Sequence, residues 1–114
     1  MKRSILMNKK DNVITVLENV LKDDIVNVYN NENEFLFNIV SNEEILIGNK
    51  ISLIDMNKGD KVIKYGEIIG EVTRQIKKGY LVHVHNVKSL TVDIPPAFKK
   101  EIIRQMRINV KEED

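Results

Sequence analysis

The sequence predicts a mainly β protein, built from short strands and hairpins and closed by a short C-terminal helix. Three observations point there. Aromatic residues make up only 5% of the chain while Val and Ile are abundant, a composition that suits pleated, half-buried surfaces. Apolar runs are short and broken at close intervals by Asn, Asp, Gly and Lys. The segment from Gly59 to Asn86 then gathers two short apolar strands, a tight turn at Tyr65-Gly66, Lys-Gly turns and both histidines of the protein.

Taken in order, Ser4–Met7 is the first strand, and Asp11-Asn12 is a turn before a second at Val13–Leu17. A helical turn over Val16–Leu21 competes with the end of that strand, because Val16, Val20 and Leu21 also fit a 3.6-residue period. Glu34–Val40 alternates as a strand with Phe35, Phe37 and Ile39 on one face, between turns at Asn30–Asn33 and Ser41–Glu44. A weak repeat runs through the chain: Val20–Val26, Met56–Val62 and Ile76–Val82 each read apolar, any residue, Lys, Gly or Asp, two more positions, Val. Physically this is a strand end, a turn needing positive φ where Gly or Asp stands, and a new strand. The spacings of 36 and 20 residues are unequal, which argues for a folded-over sheet with similar turns rather than a solenoid. After Asp93 and Pro95-Pro96 the pattern turns helical, with Phe98, Ile102 and Met106 on one side. A helix this short has to dock on its own domain or on a partner. The expected division is therefore 1–92 for the β domain and 93–114 for a helical extension.

Composition narrows the function classes. At 114 residues the chain makes one domain with one modest core. Eighteen Lys+Arg against 17 Asp+Glu give no basic field for nucleic acid, and the lack of cysteine removes disulfides, thiol catalysis and thiolate metal sites. No apolar run approaches the roughly 20 residues of a membrane span, and the start has no secretory core. The expectation is a cytoplasmic protein with no nucleic-acid or membrane partner.

Leu81–Val87 reads as an alternating strand, which would display His83 and His85 from one face and Val82 and Val84 from the other. Imidazoles at i and i+2 could share a metal ion, with Asp60 or Glu67, water or another chain completing the set. One of them could instead act as a general acid or base near neutral pH, or both could be exposed polar positions of a half-buried strand. In the hairpin around Gly66, Lys64 could meet an anion and Tyr65 could donate a hydrogen bond. No phosphate-cradling glycine loop, nucleophile elbow or H-E-x-x-H is present.

Lys58-Gly59, Val62–Gly66, Ile69-Gly70, Ile76, Gly79, Val82-His83 and His85-Asn86, with Asp11-Asn12-Val13 upstream, resemble the SAF domain of the altronate and galactarate dehydratases over about residues 4 to 90. The resemblance implies a β-clip fold of short strands folded back on themselves. It implies dehydration of acidic sugars carried by a much larger domain, which in some members is a separate large subunit beside a small SAF subunit. It also implies a divalent metal, typically iron, shared with or held by the large subunit. On that footing His83 and His85, oriented by Asn86, are expected as catalytic residues and as metal ligands, with Lys64 and Tyr65 binding the acidic sugar. The alternative is a non-catalytic module for an acidic sugar or a protein partner, possible also as a homodimer. Asn49 stands where relatives often have histidine, and Gln75 where they often have aspartate.

Overall fold

The computed structural model describes residues 1–90, and the expected helix and the extension 93–114 lie outside the described residues. Nine strands follow one another: β1 Lys2–Leu6, β2 Val13–Val16, β3 Ile25–Asn30, β4 Phe35–Val40, β5 Lys50–Ser52, β6 Lys61–Lys64, β7 Glu67–Val72, β8 Leu81–Val82 and β9 Val87–Ser89. They form a six-stranded sheet in the order β4-β3-β1-β2-β5-β8 and a three-stranded sheet β6-β7-β9. Within them β1 and β3 run parallel and the other pairs antiparallel. The fold is mainly β, as expected, and among the described residues there is no helix.

The competing helical turn at Val16–Leu21 does not form. The Leu17 N–H donates to the Arg3 carbonyl, and Val20 exchanges both backbone hydrogen bonds with Ile45 at 2.8 Å each. Tertiary pairing satisfies these groups better than one isolated helical turn, which would fix three residues for one bond.

The repeat has four copies rather than three. The additional one, Ile45–Ile51, second in chain order, carries Ile47 where the others have Lys and Ile51 where they have Val. In each copy a turn closes by a hydrogen bond from residue five to residue two: Asp24 to Leu21, Asn49 to Leu46, Asp60 to Asn57 and Tyr80 to Lys77, at 3.0–3.1 Å. The residue before the turn's end has positive φ in every copy, +73° at Asp23, +87° at Gly48, +94° at Gly59 and +89° at Gly79. The copies then pair, Val20 with Ile45 and Met56 with Ile76. Within each pair the positive-φ residue donates its N–H to the carbonyl four positions before its partner's bridge residue: Asp23 to Ser41, Gly48 to Val16, Gly59 to Val72 and Gly79 to Ser52. Each pair is thus a reciprocal, locally two-fold device.

The core follows the pairs. One cluster contains Leu6, Ile14, Val16, Val20, Val26, Val28, Ile39, Ile45 and Ile51, and the other Val13, Met56, Val62, Val72, Ile76 and Val82. Val13 and Ile14 are consecutive on β2, so they point to opposite faces and make that strand the wall between the clusters. Of the alternating face Phe35, Phe37, Ile39, only Ile39 is buried, because β4 is the sheet's edge and overhangs the core.

A second tie joins the two sheets. Asp11 is buried, and its carboxylate accepts the N–H groups of Asn8 (3.0 Å), Tyr65 (3.1 Å) and Gly66 (2.8 Å). Asn12 brackets β6, donating to the Lys61 carbonyl and accepting from the Ile63 N–H. Tyr65 and Gly66 both have positive φ, +60° and +74°, as a two-residue hairpin turn that matches strand twist requires. The clamp explains how a tyrosine is held in a conformation that side chains disfavour.

Two outcomes follow. Asp11→Ala, which orphans several N–H groups at once, should lower unfolding free energy by about 3 kcal/mol in urea melts, and Asp11→Asn by less. A Cβ at Gly79 would lie 2.8 Å from the Val40 carbonyl and 2.5 Å from the Asn42 amide, whereas one at Gly59 meets nothing within 4 Å. Gly59→Ala should therefore cost only the left-handed strain of about 1–2 kcal/mol, and Gly79→Ala clearly more. Equal losses would contradict this packing.

Candidate functional site

The expected strand Leu81–Val87 stops at Val82, and His83–Asn86 form a turn before β9. The Asn86 and Val87 N–H groups both donate to the His83 carbonyl at 3.0 Å. The Asn86 side chain is the cause: its Oδ1 accepts the His83 N–H at 2.9 Å and its Nδ2 donates to the Leu81 carbonyl at 2.7 Å. Asparagine offers the backbone such local partners in place of a ladder. Asn86 is buried, while Val84 at the turn's tip is 78% exposed, so no second strand covers the alternation.

The i, i+2 geometry is corrected accordingly. His83 and His85 do not share a strand face, and they line different clefts. His85 opens on a cleft of about 320 Å³ together with Glu43, Arg74, Lys77, Tyr80 and Asn86. His83 lines a smaller cavity of about 130 Å³ with Lys50 and Ser89, among Val62, Ile69, Val82 and Val87. On its other side it borders an open groove with Glu44, Leu46 and Asn49. The Glu43 carboxylate is engaged by the Leu81 N–H and so holds β8 beneath the turn.

The expected third ligands stand elsewhere. Asp60 accepts the Asn57 N–H at 2.7 Å inside its own turn, and Glu67 pairs with Lys64 at the start of β7. Among the described residues no group of three or more His, Asp or Glu side chains could hold a metal ion. The donors present do not fit a divalent metal on their own.

Lys64 and Tyr65 sit at the β6–β7 hairpin above Asp11, with the Lys64 ammonium 5.0 Å from the Tyr65 ring centroid. They line neither cleft of His83 nor that of His85 just described. Burial lowers the Lys64 pKa, opposed by the negative charge of Asp11. The link between hairpin and histidine turn is Lys50, the last residue of the Gly48-Asn49-Lys50 run that belongs to the resemblance but carries no expected role. It lines the His83 cavity, and its pKa is lowered by burial and then by the Lys64 charge. Its place directly after the Gly48-Asn49 turn and before Ile51 is the sequence signal for it.

Comparison with known proteins completes the picture. Relatives include the altronate dehydratase of Bacillus subtilis (strain 168), 33% identical over 94 residues that make up 82% of this chain and 18% of that protein. Two (2R)-sulfolactate sulfo-lyase subunits alpha also match. The one from Chromohalobacter salexigens is 45% identical over 47 residues, 41% of this chain and 50% of that subunit. The one from Paracoccus pantotrophus is 40% identical over 53 residues, 46% of this chain and 79% of that subunit. The chain thus spans under a fifth of the dehydratase and half or more of the sulfo-lyase subunits. The family profile of the altronate/galactarate dehydratase SAF domain matches residues 2–90. That match takes in the Asp11 clamp, all four paired turns and the Asn86-held histidine turn, and the chain belongs to the altronate/galactarate dehydratase SAF domain family.

Proposed function

We propose that this chain is the small subunit of a sugar-acid dehydratase, a hydro-lyase acting on altronate, galactarate or a similar acidic sugar, and that it completes the active site of a separate large catalytic subunit. The observation that carries this reading is the pair of sulfo-lyase relatives. Their names make a domain of this kind a subunit in its own right, and this chain matches up to 79% of one of them. The chemistry of the relatives' substrates supports it. Altronate and sulfolactate are both 2-hydroxy carboxylates. In each case a base can take the proton from carbon 2 while the group on carbon 3, hydroxyl or sulfonate, departs as water or sulfite. The resulting enol becomes a 2-oxo acid.

In this reading His83 and His85 face the bound acid from the two sides of one turn, in base and acid roles suited to an imidazole near neutral pH. Asn86 fixes their backbone and is a positioning residue. Lys64 and Tyr65 stand on the neighbouring hairpin outside the histidine clefts, so in this reading they reach the acid only across a surface that the large subunit completes. Iron, or another divalent metal, would be held by the large subunit, since the residues described here do not form a site for it.

The surface for such a partner is the edge strand β4. Its sequence FLFNIV carries no charge or proline, and Phe35, Leu36, Phe37 and Val40 are all well exposed. Proteins that leave an edge free usually blunt it with charge or proline.

Co-expression with the large subunit and an assay on altronate, galactarate and (2R)-sulfolactate tests the proposal. The chain should co-purify with that subunit, and omitting it should abolish turnover. His83→Ala or His85→Ala should lower kcat by about 10²-fold or more. Phe35→Lys should weaken assembly while leaving the thermal melt of the free chain nearly unchanged. Dehydration that proceeds equally well without this chain would end the subunit reading.

A further inference from the structure

Lys50 begins β5, the strand next to the edge of the larger sheet, opposite Thr15 on β2 and Val82 on β8. That position half-buries its side chain. Among the described residues its ammonium has no carboxylate within 4 Å and no hydrogen-bond acceptor. The charge that acts on it most is another cation, Lys64. The carboxylate of Asp11 acts on Lys64, and its oxygens already accept the N–H groups of Asn8, Tyr65 and Gly66. Partly desolvated cations are normally paired. Lys50 has no such partner among the described residues.

Lys50 also forms part of a wall. The 130 Å³ cavity beside it is otherwise apolar, from Val62, Ile69, Val82 and Val87, with His83 and Ser89 as its other polar side chains. Its volume corresponds to about four water molecules, room for a carboxylate and the carbon and hydroxyl next to it. The cavity opens to solvent past His83, Val84 and Ser89, which are exposed, and the half-buried Lys50 lines it with buried Val62 and Val82.

We infer that this cavity is an anion site that takes the carboxylate end of a small hydroxy acid, with Lys50 as the principal cation, Lys64 reinforcing the field, and His83 and Ser89 available to the adjoining hydroxyl. Calling that acid the dehydratase substrate rests on the function proposed above, whereas the anion site itself needs no partner subunit.

The test uses the full chain alone at low salt. Tartrate, a four-carbon hydroxy dicarboxylate, is titrated while backbone amide shifts are followed by NMR, with erythritol as the uncharged four-carbon control. Tartrate should move the resonances of Lys50, Val82, His83 and Ser89, and erythritol should move none. Lys50→Met should weaken tartrate binding about ten- to a hundredfold, the loss expected for one charge-assisted contact. Lys50→Arg should restore most of it, and Lys22→Met, in the turn after Val20, should change nothing. Folding is checked independently. With a lowered Lys50 pKa the unfolded chain binds more protons than the folded one as pH rises towards the ordinary lysine value of 10.5, so stability rises across that window. Lys50→Met should fold as well as the parent and show a smaller rise; Lys64, Asp11 and His83 are the titratable neighbours retained in both. Shifts spread over surface lysines, or unchanged affinity in Lys50→Met, would overturn the assignment. Tartrate binding at Lys50 together with an assembled enzyme that dehydrates nothing would keep the anion site and discard the dehydratase.

Discussion

The structure depends on the reciprocal hydrogen bonding between paired turns. In each pair two apolar residues exchange both backbone hydrogen bonds, and each turn's left-handed residue reaches back to the strand that leads into the other. Short strands expose many backbone groups per residue buried, and unpaired buried groups are costly. Coupling the turns solves that accounting locally. It also places three side chains per copy in the interior: the residue four before the bridge, the bridge residue, and the one six after it. Val16, Val20 and Val26 do so in the first copy, and Ser52, Met56 and Val62 in the third. A chain of short extended pieces can form a core on these terms without long strands or helices.

The two pairs share a backbone scheme but differ in surface. The two positions after the bridge residue are Leu21-Lys22 and Leu46-Ile47 in the first pair, and Asn57-Lys58 and Lys77-Lys78 in the second. One pair therefore ends in a largely apolar platform, with Leu21, Leu46 and Ile47 all more than half exposed, and the other in a basic one. The cleft of His85 and Arg74 lies on the side of the basic pair, while His83 also borders Leu46 of the other. Within one small domain this separates a surface suited to burial against protein from one suited to anions.

Much of this was legible in the sequence, and the failures have physical causes. Strand positions, the Tyr65-Gly66 hairpin and three of the four turns follow from local chemistry, because positive φ selects Gly or Asp and alternation marks half-buried strands. The additional turn escaped because its lysine is Ile47, a surface position that the backbone scheme does not constrain. Alternation misled at Leu81–Val87, where the side chain of Asn86 competes with the ladder and converts the segment into a turn after Val82. The Asp11 clamp could not be read locally at all. Its acceptor and donors lie 54 and 55 residues apart, although the resemblance had singled out D-N-V and K-Y-G separately. The structure supplies the reason those two motifs belong together.

The turn at Asn86 also relocates the question of a second imidazole. With His83 and His85 on different clefts, the side-by-side display along one strand that the i, i+2 spacing suggests does not form. Asn49 lines the groove of His83 together with Glu44 and Leu46, at the position where the family resemblance leads one to expect histidine. Its amide donates to the Leu46 carbonyl at 3.1 Å and closes the second turn. A histidine there would bring an imidazole to the same groove as His83. The asparagine brings a turn-closing amide instead, and amides are poor ligands for transition metals beside imidazole. What this chain itself places on the inner side of His83 is thus an ammonium beside an imidazole, with no third side chain among the described residues to close a metal site around it.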